Sequence, residues 1–316
     1  MDGRLLVFSG NANRPLAEQI AHHLKMNLGR AIVGQFKNGE TRIKLEDNVR
    51  GCDVFVIQPT CTPVNHNLME LLLIIDGLRR ASASRVTAVI PYYGYAKQEK
   101  KTSGREPISA KLVANLIRTA GSHRVLTMDL HAPAIEGFFD IPVDHLQAST
   151  LLSDYMFRLN LPDPIVVSPD AGGVGRANRF RERLGVGLAI IAKQRPEPDS
   201  AEVLDMVGEV EGRTAIIVDD MISTGGTLIE AADALIERGA RAVYACATHG
   251  SFAADAMQAI ANSAIQDTVV TDTIPLPETG STRPIKSISV APLFAEAIMR
   301  IHKDLSLSAL FSSNRM

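Results

Sequence analysis

The chain has no excess of one charge: 33 Lys+Arg stand against 35 Asp+Glu, a formal net charge of −2. Such a balance offers no electrostatic footprint for nucleic acid or another polyanion. Cysteine is scarce, with three in 316 residues (Cys52, Cys61, Cys246) and no CxxC pair. That argues against a disulfide framework or a structural zinc site, and it fits a reduced, cytoplasmic protein. No apolar run is long enough to cross a bilayer, so no membrane partner is expected. The opening MDGRLLVFSGN turns polar after Phe8 and does not read as a signal peptide. A Walker A loop, HExxH and GxSxG are also missing, so a phosphate-handling protein must here use other loops.

What is present is an α/β pattern long enough for two domains. Its most informative stretch is Thr214 to Thr227, TAIIVDDMISTGGT. Ala215 to Val218 reads as a buried strand, and Asp219 and Asp220 are expected at its C-terminal end, where open α/β sheets place ligands. Ser223, Thr224, Gly225, Gly226 and Thr227 then form a hydroxyl-glycine loop whose backbone can approach an anion closely. A helix from Thr227 to Glu237 follows, with Gly239 past its end. Strand, two carboxylates, loop and helix N-terminus together suit a phosphate at the loop and hydroxyls at the acids. A lone Gly-Gly would be an ordinary turn; the full string is far rarer.

The rest of the chain repeats strand, loop, helix, strand. Residues 4–8, 31–36, 53–58, 85–90 and 124–128 read as strands, with helices from Pro15, His66 to Arg80 and Ser109 to Ala120. Ser109 is expected to cap the last of these. Lys37-Asn38-Gly39-Glu40 predicts a hairpin with Thr41 to Leu45. Tyr92 to Lys101 alternates rings and cations in a loop, which suits either a solvated basic loop or a nucleotide site with rings against a base. His131 stands just past a strand end. In the second half, Ile165 to Ser168 leads into Asp170-Ala171-Gly172-Gly173, and Leu188 to Ala192 delivers Lys193 and Arg195. Pro196 to Gly212 has no strong period and reads as a loop or flap. Strands over 241–248, 268–271 and 288–290 and a helix over 293–302 complete the chain. The two halves share this layout without clear residue identity.

Several strings stand in the order of one family: Phe36-Lys37-Asn38-Gly39-Glu40, Arg50-Gly51-Cys52-Asp53-Val54, Ile90-Pro91-Tyr92-Tyr93-Gly94-Tyr95-Ala96, Asp129-Leu130-His131-Ala132, Gly137-Phe138-Phe139-Asp140, Ser168-Pro169-Asp170 and the 214–227 stretch. From about Phe8 to Phe311 the chain resembles the ribose-phosphate pyrophosphokinase family, within the phosphoribosyltransferase superfamily. The resemblance implies two phosphoribosyltransferase-type domains, each a mostly parallel sheet flanked by helices, with a flap hairpin in the first. The expected boundaries are 1–147 for the nucleotide domain, 148–292 for the ribose 5-phosphate domain and 293–316 for a helix and tail packing back on them.

The resemblance also implies ATP and ribose 5-phosphate as substrates, Mg2+ as cofactor, phosphate and ADP as effectors, and a homo-oligomer, in this family commonly a hexamer. Phe36, Asn38 and Glu40 match the adenine-contacting flap, and Lys97 and Gln98 the nucleotide loop. His131 and Asp170 match metal positions, and Lys193 and Arg195 the catalytic cations. Asp219, Asp220 and Ser223 to Thr227 match the ribose-phosphate site. Arg50, Ser82, Arg105, Ser306 and Ser308 resemble a regulatory anion site. Three positions depart from the family pattern. Ser223 replaces an Asp, Lys97 replaces an Arg, and Gln194 stands where a third cation is frequent. A phosphoribosyltransferase would share 214–227 but lack the flap and aromatic-basic loop. A sensing repressor would add a basic DNA-binding module, and a silent subunit would have lost the catalytic cations.

Overall fold

The computed structural model describes residues 3–194, 203–253, 255–277 and 285–310. They divide into two compact units, one reaching to Gln147 with 273–275 and the segment from Ser289, the other Ala148–Asp272 with Leu276–Ile288.

The first unit contains β1 (Leu5–Ser9), α1 (Arg14–His23), β2 (Ala31–Gln35), β3 (Thr41–Leu45), β4 (Asp53–Ile57), α2 (Val64–Arg80), β5 (Arg85–Ile90), α3 (Ser109–Ala120), β6 (Arg124–Met128) and β7 (Val143–Leu146). Its main sheet has the order β1-β4-β5-β6-β7 and is parallel throughout. DVFVI in β4 is buried at every position, the composition a strand needs when helices cover both faces. The expected hairpin is present as β2 and β3, antiparallel and forming a sheet of its own. α3 buries Ala110, Val113, Ala114 and Ile117 on one face and ends at Gly121 in the left-handed region, φ 115°. Ser109 is not its cap. Ile108 holds that place, and the Ser109 hydroxyl donates instead to Gln98 Oε1 at 2.6 Å. β7 was not expected from sequence, because VDHL is too short and polar to show a period.

A late helix, α8 (Ala291–His302), joins this first unit and packs on α1. A buried ion pair fixes its end. Arg85 grips Asp53 with Nε and Nη2 at 2.8 and 2.7 Å, and the same Nη2 donates to the Ile301 carbonyl at 2.9 Å. His302 Nδ1 lies 2.8 Å from Asp53, whose side chain is 0% exposed. Arg85→Met leaves that carboxylate buried without its main partner, so a loss of about 3–5 kcal/mol is expected. Urea unfolding reads it as a lower midpoint at unchanged slope; an unchanged midpoint would mean that apolar packing alone holds α8.

The second unit contains α4 (Ser149–Arg158), β8 (Pro164–Ser168), α5 (Val174–Leu184), β9 (Gly187–Gln194), β10 (Val203–Val207), β11 (Thr214–Ile222), α6 (Gly226–Glu237), β12 (Ala242–Gly250), α7 (Ala256–Ala261), β13 (Ile265–Thr271) and β14 (Lys286–Ile288). Its sheet order is β10-β9-β8-β11-β12-β13-β14, parallel except for the β9–β10 pair. The stretch read as a loop from Pro196 to Gly212 therefore contains a strand, β10, which pairs with the end of β9. VLDMV is short and follows prolines and acids, so its local pattern is weak. Among the described residues no helix is long and apolar enough to cross a membrane.

Candidate active site

In the second unit, β8 leads outward through α5 to β9, while β11 leads the other way through α6 to β12. The strand order thus reverses between β8 and β11, the position at which open α/β sheets bind ligands. The β8–α5 and β11–α6 loops both open there.

The acids were expected beyond the strand, but β11 runs on to Ile222. Its ladder with β12 continues to Ile222↔Gly250, whereas its pairing with β8 stops at Ile217↔Val167. Asp219 and Asp220 therefore lie in a one-sided extension of the strand. Arg176, in the first turn of α5, reaches them. Its Nη1 is 3.1 Å from Asp219 Oδ1 and its Nη2 3.2 Å from Asp220 Oδ1. The Asp220 N–H donates to Asp219 Oδ1 at 2.8 Å. Burial, with the Asp220 charge second, pushes the Asp219 carboxyl up to about 7, and Arg176 opposes the rise. Two adjacent carboxylates at the switch point supply acceptor oxygens of the kind that suit sugar hydroxyls. Sequence reasoning missed Arg176; a cation two residues after Val174, in a glycine-rich loop opening a helix, was the available signal.

The loop that follows is built as expected. Gly225 adopts φ 81° and precedes the first turn of α6. Thr224 and Thr227 are exposed, Ser223 and Gly226 half-buried and Gly225 buried. In the neighbouring loop, Asp170 is half-buried, and its Oδ1 accepts from the Gly173 N–H at 2.8 Å. A Cβ on Gly173 would lie 2.8 Å from Ser168 Oγ, so this loop too is drawn tight. Lys193 lies in β9, its backbone opposite Leu204; Arg195 lies outside the described residues.

In the first unit, Phe36 follows β2 and is 52% exposed, with the Arg42 guanidinium 5.8 Å from its ring centre. Asn38 Oδ1 accepts from the Glu40 N–H at 3.2 Å, and the Phe36 N–H donates to the Glu40 carbonyl, closing the turn. The flap residues thus share one tip. Lys97 and Gln98 are exposed after a loop that packs tightly. A Cβ on Gly94 would lie 2.4 Å from the Thr60 carbonyl oxygen. Of the rings expected to meet a base, Tyr93 is unavailable: it is buried, donates to the Ala110 carbonyl at 2.8 Å and meets Phe139 edge-on. His131 is half-buried just after β6, in a segment where His145 Nε2 accepts from the Leu130 N–H at 2.9 Å.

The residues matching a regulatory anion site also lie in this unit. Gly51 donates to the Ser82 carbonyl, which joins the turn carrying Arg50 to Ser82. The Ser306 and Ser308 hydroxyls are 2.5 Å apart. Arg105 belongs to another turn, closed by Glu106, whose carboxyl is held down to about 2 by the Ser103 and Thr102 hydrogen bonds.

Residues 5–121 match the N-terminal domain of ribose phosphate pyrophosphokinase, and residues 193–312 match a phosphoribosyl synthetase-associated domain. A ribose-phosphate pyrophosphokinase of Oceanobacillus iheyensis is 54% identical over 310 residues, 98% of this chain and 98% of that one. The chain belongs to the ribose-phosphate pyrophosphokinase family. The Bacillus subtilis ribose-phosphate pyrophosphokinase is 51% identical over 311 residues, again 98% of each chain. The crystal structure of phosphoribosylpyrophosphate synthetase from Mycobacterium smegmatis has a TM-score of 0.90 at 42% identity, covering 95% of this chain and 99% of that one. The family reading made from the sequence strings is therefore borne out, as is the fold of two mostly parallel sheets with a hairpin in the first.

Proposed function

We propose that the chain is a ribose-phosphate diphosphokinase, which makes phosphoribosyl pyrophosphate and AMP from ATP and ribose 5-phosphate. The near full-length match to ribose-phosphate pyrophosphokinases carries this reading. The acid pair and hydroxyl-glycine loop at the sheet's switch point agree with it. The C1 hydroxyl oxygen attacks the β-phosphorus of ATP, the bond from that phosphorus to the α,β-bridging oxygen breaks, and AMP leaves. The hydroxyl proton is lost to solvent.

In this reading Asp219 and Asp220 accept hydrogen bonds from ribose hydroxyls, and Ser223 to Thr227 wrap the 5-phosphate with N–H and hydroxyl donors. Ser223, in place of an Asp, removes one negative charge from the rim of that cradle. Phe36, Asn38 and Glu40 contact adenine from the hairpin, and Lys97 and Gln98 meet the nucleotide from their loop. Lys193 and Arg195 neutralise charge on the transferred group and on departing AMP.

Asp170 in the second unit is a residue that would bind a divalent cation, and His131 is the corresponding metal position of the first unit. The Gly173 N–H occupies one Asp170 oxygen and fixes the carboxylate's orientation. The Asp170 carboxylate is a hard oxygen donor and fits magnesium, whereas the His131 imidazole offers only a nitrogen; magnesium keeps waters and binds chiefly to substrate phosphates. When bound, it draws charge from the phosphate oxygens. We further assign the two units to nucleotide and ribose 5-phosphate binding. A cytoplasmic hexamer with phosphate and ADP acting at Arg50, Ser82, Arg105, Ser306 and Ser308 completes the reading.

The test is incubation with ATP, magnesium and ribose 5-phosphate, followed by chromatography. AMP and phosphoribosyl pyrophosphate are expected in equal amounts, both dependent on ribose 5-phosphate. Binding of phosphoribosyl pyrophosphate without any AMP formation would instead mark a silent subunit.

A further inference from the structure

The β2–β3 hairpin makes no ladder hydrogen bonds to the five-stranded sheet. A two-stranded hairpin is marginal by itself, so its tip can be placed only by side chains and apolar packing. Val33, Ile43 and Leu45 pack on the core. Two polar contacts reach β2 from elsewhere. Asn11 Nδ2 donates to the Val33 carbonyl at 3.2 Å, and Gln35 Nε2 lies 3.2 Å from His66 Nδ1.

Both contacts originate at one buried carboxylate. Glu70 in α2 is 0% exposed, and the described residues place no Lys or Arg in an ion pair with it. Its Oε1 accepts from the Asn11 N–H at 2.6 Å and from Gln58 Nε2 at 2.8 Å. Its Oε2 accepts from Asn11 Nδ2 at 2.9 Å and faces His66 Nε2 at 3.8 Å. Gln58, also fully buried, accepts from the Ala12 N–H at 3.1 Å through its Oε1. The β1–α1 loop closes directly on this cluster, since a Cβ on Gly10 would lie 2.3 Å from Gln58 Oε1 and 2.7 Å from Glu70 Oε1. A buried carboxylate is costly unless its acceptors are filled. Here donors from the loop and β4's end fill them, and two of its neighbours extend to β2. The cost is understandable if the cluster fixes geometry.

We propose that Glu70 is a positioning residue for the nucleotide hairpin: through Asn11 and His66 it sets where β2 lies, and so where Phe36, Asn38 and Glu40 stand. This rests on the reading that the hairpin tip contacts the nucleotide. Glu70→Gln keeps the volume but turns an acceptor oxygen into an amide that faces another donor. Asn11→Ala, in the loop, keeps the Asn11 N–H bond to Glu70 and removes the side-chain link to Val33.

The experiment measures KM for ATP and for ribose 5-phosphate in Glu70→Gln, Asn11→Ala and Phe36→Ala. The sequence contains no tryptophan, so a Phe36→Trp reporter can be added for steady-state anisotropy. KM for ATP is expected to rise on the order of tenfold in Glu70→Gln and Asn11→Ala, the size of one lost charged hydrogen bond, while KM for ribose 5-phosphate stays within about twofold. Tip anisotropy should fall in both backgrounds. A role in folding alone would lower Tm while leaving both KM values and the anisotropy unchanged, and that result overturns the proposal. Equal rises in both KM values overturn it too. If Phe36→Ala leaves KM for ATP unchanged, the hairpin reading itself fails. If Phe36→Ala raises it and Asn11→Ala does not, only the role given to Glu70 fails.

Discussion

Replacing Lys193 with alanine is expected to lower kcat by on the order of 10²–10³, the usual cost of one preorganised charge that stabilises a transition state. Transfer of a diphosphoryl group needs positioning and charge neutralisation more than covalent help. Lys193 is delivered at the end of β9, where the backbone is paired on both sides of the residue's register with β10. A cation on a paired strand costs less to hold in place than one on a free loop. In the proposed role, where Lys193 meets charge that develops only during transfer, the effect should fall on kcat, with KM for ribose 5-phosphate nearly unchanged. An equal loss in kcat and Tm would point to misfolding instead. A rise in KM alone would make Lys193 a substrate-binding residue.

The second large effect is expected at Arg176. Arg176→Met removes the guanidinium that meets both Asp219 and Asp220, at a cost of about 2–3 kcal/mol of stability. That is below the full cost for a wholly buried pair, because the Asp219 side chain keeps 24% exposure. The pH dependence has a definite sign. Asp219 is raised from its ordinary 3.8 to about 7, first by burial and then by Asp220. A carboxyl raised on folding holds its proton more tightly in the folded state, so its contribution is fully present below the ordinary value. It is lost as pH rises through the folded value near 7. Unfolding scans should therefore show this contribution falling between about pH 4 and 7 in the native protein, and continuing to fall above that range in Arg176→Met.

Under the proposal that Asp219 and Asp220 hold the ribose hydroxyls, ribose binding has the opposite preference, since ionised carboxylates accept hydroxyl bonds better. KM for ribose 5-phosphate should drop as pH rises through about 7, and Asp219→Asn should flatten that step. The substrate's own phosphate titrates near about 6, so only the part of the profile removed by Asp219→Asn belongs to the acid pair. An unchanged profile in Asp219→Asn would separate the pair from ribose binding.

Much of the site was legible because its chemistry is local. Asp219, Asp220 and the Ser223–Thr227 loop are contiguous, and Gly225 stands where a left-handed residue precedes α6. The hairpin was legible from Asn38-Gly39 between a strand region and the alternating run Thr41 to Leu45. Elements with little local pattern were not. β7 offers VDHL, β10 offers VLDMV beside prolines, and α4 begins with no side-chain cap.

The deeper misses came from contacts distant in sequence. Arg176 meets acids more than forty positions away because β8 and β11 are neighbours. β11 extends past its expected end because β12 extends with it. Ser109 looked like a helix cap, and Gln98 captured its hydroxyl. Tyr93 looked like a base-stacking ring, and the core took it. In each case a local preference yielded to tertiary packing.

The most direct measurement follows the terminal phosphorus. ATP labelled at the γ-position is incubated with magnesium and ribose 5-phosphate, and the products are separated and counted. Transfer of the intact diphosphoryl group places the label in phosphoribosyl pyrophosphate, with one unlabelled AMP for each labelled product. Label in a ribose bisphosphate with ADP as co-product, or in free phosphate independent of ribose 5-phosphate, would contradict the diphosphokinase assignment.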